Sequence, residues 1–185
     1  VAALPPAARW AAQAHVLDYD DLHLPSTSHI STVCVPAAAA VGGDARAYLA
    51  GAGVMARLGA ALGWNHYSRG WHATSTTAPM GAAAVAATAF GLDIERTATA
   101  IALAVSSAGG VQRAFGSDGK AIQVGLAVDA GMPFIAYAFW QMVLASAVLL
   151  PASILLRSRP KASLPHIKVY SLVATVGLSG PLLIL

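Results

Sequence analysis

The stretch HVLDYDDLHLPSTSH, His15 to His29, gathers Asp18, Asp20 and Asp21 with His15, His23 and His29 in a chain in which only 10% of residues are charged. Three carboxylates within one turn or loop repel one another unless they face water, a cation or a proton, and that predicts a raised carboxylate pKa among them. His29 stands eleven residues after Asp18, beyond the Pro/Ser-rich run PSTS, and such a loop can fold it back toward the acids. A carboxylate beside an imidazole is a general acid/base pair. A solvated acidic loop with capping Ser and Thr accounts for the same residues. No HxxxH, HxH or cysteine-based spacing points to a metal, so neither a metal nor another cofactor is expected.

A second group lies in HYSRGWHATSTTAPMG, where His66, Arg69 and His72 precede the hydroxyl run Thr74 to Thr77. With a helix starting near Pro79, free backbone N–H groups, the hydroxyls of Thr74 and Ser75, and Arg69 would receive a carboxylate or phosphate. Ordinary helix capping by Ser and Thr is the alternative. A third group, AGGVQRAFGSDGKAIQ, offers Lys120 after two Gly-rich turns. It lacks the spacing of a phosphate-binding GxxxxGK[ST] loop and reads as a cation placed for an anionic substrate, or as a solvated lysine at a helix start.

The elements that would hold these groups read as helices. DARAYLAGAGVMARLGAALG places Leu49, Ala52, Met55, Leu58 and Leu62 on one apolar face that ends at Gly63. APMGAAAVAATAFG starts near Pro79 and stops at Gly91, with enough alanine for close helix approach. In LDIERTATAIALAVSSAGG, Asp93 is an N-cap, Glu95 favours the helix dipole, and Gly109 and Gly110 end the run. No long alternation of period two predicts a sheet. The fold class is therefore all-α.

Charge divides the chain in two. All eight acidic residues and seven of the eleven basic ones precede residue 131, leaving Arg157, Arg159, Lys161 and Lys168 in a tail without an acid. The pI near 9.3 is thus a property of the tail, and no patch of Lys and Arg interleaved with aromatics speaks for nucleic-acid binding. The one cysteine, Cys34, sits between valines and reads as a small buried residue of a protein from a reducing compartment. From Pro133 to Leu156 the chain runs 24 residues without a formal charge, then continues RSRPK. This is long enough to cross a bilayer with the basic cluster on the cytoplasmic side, and VYSLVATVGLSGPLLIL begins a second apolar stretch. A pair of buried core helices is the alternative.

In order along the chain, HVLDYDDLH, STSHIST, VMARLGAALG, YSRGWHATSTTAPMGAAAVAA and GLDIERTATAIALAVSSAGGVQRAFGSDGKAIQVGLAVDAG resemble the large helical domain of the MmgE/PrpD family over about residues 8–132. That family includes 2-methylcitrate dehydratases, cis-aconitate decarboxylases and an iminodisuccinate epimerase. The resemblance implies an all-α domain, an active site shared with a smaller lid domain, no cofactor, and a small di- or tricarboxylate as substrate; it allows a homodimer. Its catalytic aspartate falls on Asp18, its loop histidine on His29, the histidine of its GWH motif on His72 and its lysine on Lys120. Leu22 and Gln123 stand where the family often has Thr and His.

Residues 133–185 are similar to a two-helix stretch of EamA-type drug/metabolite transporters. The expected organisation is therefore an incomplete helical lyase domain over 1–132, cytoplasmic, followed over 133–185 by one or two hydrophobic helices able to enter a membrane. Little turnover is expected of the chain by itself, since no lid domain is recognised. The competing readings are a transporter fragment and a non-catalytic helical interaction module.

Overall fold

Helix boundaries in this protein are set by short local signals and helix packing by very small side chains. The computed structural model describes residues 4–132, which contain six α-helices. These are α1 (Pro6–His15), α2 (Ser31–Val41), α3 (Ala45–Ser68), α4 (Ala73–Ala89), α5 (Ile94–Ala104) and α6 (Asp118–Gly131). Among the described residues there is no strand, only the isolated bridges His23–Ser28 and Trp71–Val111. That part of the chain is all-α.

The centre is α4, whose residues from Ala73 to Ala87 are all buried. A helix apolar on every side has to be surrounded, and α4 packs against α2, α3, α5 and α6. Its alanines permit this, because a helix with methyl side chains can be approached closely from several directions. The main core joins Val33, Cys34, Met55, Val85, Val124 and Val128 from four helices. Cys34 is fully buried there, and burial pushes its thiol up to about 12, so it behaves as a small apolar residue.

Caps fall where single residues specify them. The Asp44 carboxylate accepts from the N–H groups of Arg46 and Ala47 to open α3, and that of Asp93 accepts from Arg96 N–H to open α5. α5 ends earlier than the glycine pair suggests, tightening into a 3₁₀ turn over Val105–Ser107.

Three expectations about helices are corrected. The helix expected to start near Pro79 starts at Ala73, with Pro79 inside it. The hydroxyl run that was to precede the helix lies within it, and Thr76 and Thr77 donate to the carbonyls of His72 and Ala73 one turn back. In α3 the buried face carries Ala47, Gly51, Met55 and Gly59, while Leu49, Leu58 and Leu62 are exposed. The reason is proximity to α4: a Cβ added at Gly51 would stand 2.8 Å from the carbonyl oxygen of Gly81. A face with leucines could not come that close. Gly63, with φ of 60°, does not end α3 but kinks it.

The membrane helices expected over 133–185 lie outside the described residues. Among the described residues, no helix is long and apolar enough to cross a membrane.

Candidate functional site

The His15–His29 stretch resolves its charge crowding by giving each acid a different partner. The Asp18 carboxylate pairs with the Lys120 ammonium from the first turn of α6. The Asp20 carboxylate accepts from His15 Nδ1 at 2.8 Å and lies 3.3 Å from His29 Nδ1. The Asp21 carboxylate accepts from the backbone N–H of Ser31 at 2.8 Å, so its charge sits at the N-terminal end of α2.

Local backbone brings these groups round. Asp18 takes a left-handed conformation, with φ of 54°, immediately after α1. Between Asp21 and His29 the chain doubles back through a 3₁₀ turn over Leu24–Ser26, closed by the N–H of His23 donating to the carbonyl of Ser28. The N–H of His29 then donates to the buried Thr74 hydroxyl at 3.0 Å, which fastens the loop to the first turn of α4.

Three imidazoles meet around His15, whose side chain is fully buried at the C-terminal turn of α1. The His29 ring stands edge-on to it at 4.8 Å between centroids, and the His72 ring, from the N-cap of α4, is stacked on it at 5.6 Å. Phe115 meets His72 edge-on at 4.9 Å and lies under the Lys120 ammonium, 5.1 Å from its centroid. A cavity of about 220 Å³ opens beside the cluster, lined by His15, Asp18, Lys120 and the start of α6 at Gly116 to Asp118.

Electrostatics separates the members. For Asp20, burial favours the neutral acid but is outweighed by the hydrogen bond from His15 and the nearby His29 ring, and the carboxyl is held below its usual range. At Asp20 this is the opposite of the raised carboxylate expected within the stretch: the two imidazoles beside it outweigh repulsion from the neighbouring acids. His29 is raised first by the Asp20 carboxylate 3.3 Å from its Nδ1, against the opposing effect of burial. His72 is 2% exposed and is pushed down to about 4, first by burial and then by the neighbouring His15.

Residues 3–139 match the family model of the MmgE/PrpD N-terminal domain. The chain belongs to the MmgE/PrpD family. No curated protein sequence matches it. The MmgE/PrpD match runs past the boundary expected at 132, into the stretch that was expected to resemble EamA-type transporters and that lies outside the described residues.

Within this MmgE/PrpD domain, four of the residues singled out from the sequence, Asp18, His29, His72 and Lys120, are brought to one place. Two more belong with them: Asp20, which links the histidines, and His15, at their centre. Their one sequence signal is membership of the same acid- and histidine-rich run. Arg69 is exposed at the C-terminal end of α3, and no hydrogen bond or ion pair ties it to the cluster among the described residues. Thr74 holds the His29 backbone, and the Ser75 hydroxyl donates to the carbonyl of Gln123. His66 bonds the Thr76 hydroxyl and stacks on Trp71, away from the cluster.

The titrations carry a prediction. For His72 the folded pKa lies below the ordinary 6.5, so its contribution to stability is complete above about pH 6.5. It declines as the unfolded chain alone takes up the proton, by up to roughly 3 kcal/mol at pH 4. Asp20 adds a loss of the same sign below its ordinary range near 3.8. His29, raised, acts in the opposite sense: its contribution is complete below about 6.5 and fades as pH rises through its folded value. Urea midpoints measured from pH 8 to pH 4 should fall steadily below pH 6.5, and His72→Leu should flatten that fall; an unchanged slope in the variant would show that His72 is not responsible.

Proposed function

We propose that this site abstracts a proton next to a carboxylate of a small di- or tricarboxylic acid and expels a hydroxyl group as water, in the manner of a 2-methylcitrate dehydratase. The observation that carries the reading is the convergence of two carboxylate–cation pairs, Asp18 with Lys120 and Asp20 with His29, beside the cavity at the start of α6. Membership of a family of dehydratase-like lyases supports it at the level of reaction type.

In this reading Lys120, at the start of α6, receives a substrate carboxylate. The incoming carboxylate takes over Lys120 and releases Asp18, which becomes available as a base for the neighbouring C–H. The electron pair left on carbon is delocalised into the bound carboxylate, where the same cation stabilises it. His29, kept ready for protonation by Asp20, gives its proton to the departing hydroxyl, which leaves as water while the double bond forms. His72 is neutral, with both ring nitrogens buried without a hydrogen-bond partner, and in this reading it supports the cluster through its stacking on His15. A cavity of about 220 Å³ is smaller than the roughly 300–1,000 Å³ typical of drug-sized ligands, and suits a small acid. Asp18 is half exposed, so the site is open on one side and water competes within it. Complete dehydration by the chain is therefore expected to be slow.

Proton exchange is the more direct test. The chain is incubated with 2-methylcitrate in D₂O, and loss of the carbon-bound proton is followed by NMR. Exchange dependent on the protein, lowered about 10²–10³-fold by Lys120→Met, is the expected result. Absence of any protein-dependent exchange from a panel of di- and tricarboxylates would sink the reading and favour a non-catalytic helical module.

A further inference from the structure

We propose that Thr74 is a positioning residue for His29: its hydroxyl, in the first turn of α4, holds the backbone that carries this imidazole and so sets the reach of the ring to Asp20. On the dehydratase reading, on which this rests for its chemistry, that ring protonates the departing hydroxyl. The His29 N–H donates to Thr74 Oγ1 at 3.0 Å, across 45 residues of chain. The next ties of the same segment lead elsewhere. The N–H of Ser31 donates to the Asp21 carboxylate at 2.8 Å, and the Thr32 hydroxyl to the carbonyl of Ala11 in α1 at 3.1 Å. Of these three bonds, the one to Thr74 alone reaches α4.

The surroundings of the His29 ring lead back to the same helix. His72, the N-cap of α4, stacks on His15 at 5.6 Å, and His15 meets the edge of His29 at 4.8 Å. Asp20 is held from the other side, by the hydrogen bond from His15 Nδ1 at the end of α1. The distance from His29 to Asp20 is therefore set by where α4 stands relative to α1, and α2 and α6, each packed on both, keep that spacing.

That distance leaves little tolerance. His29 Nδ1 lies 3.3 Å from Asp20 Oδ2 and is buried without a partner in good hydrogen-bond geometry. A further few tenths of an ångström would take the pair out of hydrogen-bonding range, and misplacement by about 1 Å can cost about 10²-fold in rate. Thr74 itself is fully buried, and the wall of the cavity beside the cluster is made by His15, Asp18, Lys120 and the start of α6. A carboxylate taken up there meets Lys120 and leaves the Thr74 hydroxyl to His29. Thr74 thus acts through the backbone of His29, in place of the receptor role expected for its hydroxyl.

The test is the titration of His29 followed by NMR in the purified chain, together with exchange of the carbon-bound proton of 2-methylcitrate in D₂O. The groups that bear on His29 are Asp20, Asp18, Lys120 and His15, with His72 beyond His15, and substitution at Thr74 alters none of them. Thr74→Val keeps the volume and removes the acceptor. It should bring the His29 titration back toward 6.5 and lower substrate exchange about tenfold or more. Thr74→Ser, which returns the acceptor, should restore both. Thr77→Val removes an equally buried hydroxyl that bonds to carbonyls of its own helix, and should leave both unchanged. Should Thr74→Val not fold, Thr74→Ala removes the same acceptor without setting a methyl group against the His29 N–H. An unmoved His29 titration in the folded variant, a titration not restored by Thr74→Ser, or an equal shift in Thr77→Val would overturn the proposal. Exchange lost with the His29 titration in place would overturn it too, by making Thr74 a substrate contact. The titration needs no substrate, so a parent chain without exchange counts against the dehydratase reading alone and leaves the role of Thr74 to be decided by His29.

Discussion

Asp20→Asn is expected to bring the His29 titration back toward the ordinary imidazole value near 6.5 and to lower substrate proton exchange by about 10²-fold or more. The amide occupies the same volume and still accepts a hydrogen bond, but it carries no charge. Asp20 contributes most to the raised titration of His29, and it also bonds the fully buried His15. Its loss therefore acts on two rings at once. One of the amide's N–H groups faces an imidazole nitrogen, so a tautomer has to change or a hydrogen bond is lost. A buried bond lost in this way costs about 1–3 kcal/mol, visible as a lower urea midpoint. The decisive readout is the histidine titration followed by NMR, because a merely structural Asp20 would lower stability and leave the pKa of His29 in place. An unshifted His29 would refute the assignment.

The same residue shows where the sequence is legible and where it is not. Caps at Asp44 and Asp93 could be read directly because a cap depends on one side chain and the two or three N–H groups after it. The motifs around Asp18, His29, His72 and Lys120 stand out by residue type. Asp20 and His15 did not separate from their neighbours, since three acids in four positions look alike until their partners are known, and those partners lie on the loop before α2, at the start of α6 and at the end of α1. The expectation of a raised carboxylate failed for this reason: it counted like charges along the chain and could not see one partner for each.

Helix packing was misread for a related reason. A periodic pattern weighs leucine above glycine, yet in α3 the leucines face outward and Gly51, Met55 and Gly59 face the core. When the partner helix is as thin as α4, the decisive property is how little a residue protrudes. Pro79 reads as a helix start because proline is favoured there, but Thr76 and Thr77 before it already belong to the first turns of α4 and bond back to the carbonyls of His72 and Ala73. Gln123, which departs from the family's usual histidine, serves the fold through both ends of its amide. Its Oε1 accepts from Val111 N–H at 2.9 Å and its Nε2 donates to the Val111 carbonyl at 3.3 Å. It thereby ties α6 to the loop that pairs with the chain just before α4. Leu22 is half exposed, and nothing in the structure explains it.

Gly125→Val should be strongly damaging although it lies outside the cluster, and it joins the packing to the chemistry. α1 and α6 run antiparallel, with Gly125 against Ala8 and Ala12 midway along and with His15 and Lys120 at the end that carries the cavity. A Cβ at Gly125 would lie 2.5 Å from the Ala8 carbonyl oxygen and 3.1 Å from the Ala12 methyl group. The first of these is backbone and cannot swing aside, so α1 itself has to move. Overpacking of this kind costs roughly 1–3 kcal/mol, and two further methyl groups on a β-branched residue place Gly125→Val at the upper end. Because α1 carries His15 and leads into Asp18, the displacement also pulls that carboxylate from Lys120. Gly125→Val should thus lower the urea midpoint and, in whatever fraction remains folded, reduce substrate exchange as well. Gly109→Ala supplies the comparison, since a Cβ there meets nothing within 4 Å and should leave both measurements close to those of the parent chain. If Gly125→Val were as stable as Gly109→Ala, the close approach of α1 and α6 would not be what fixes the site.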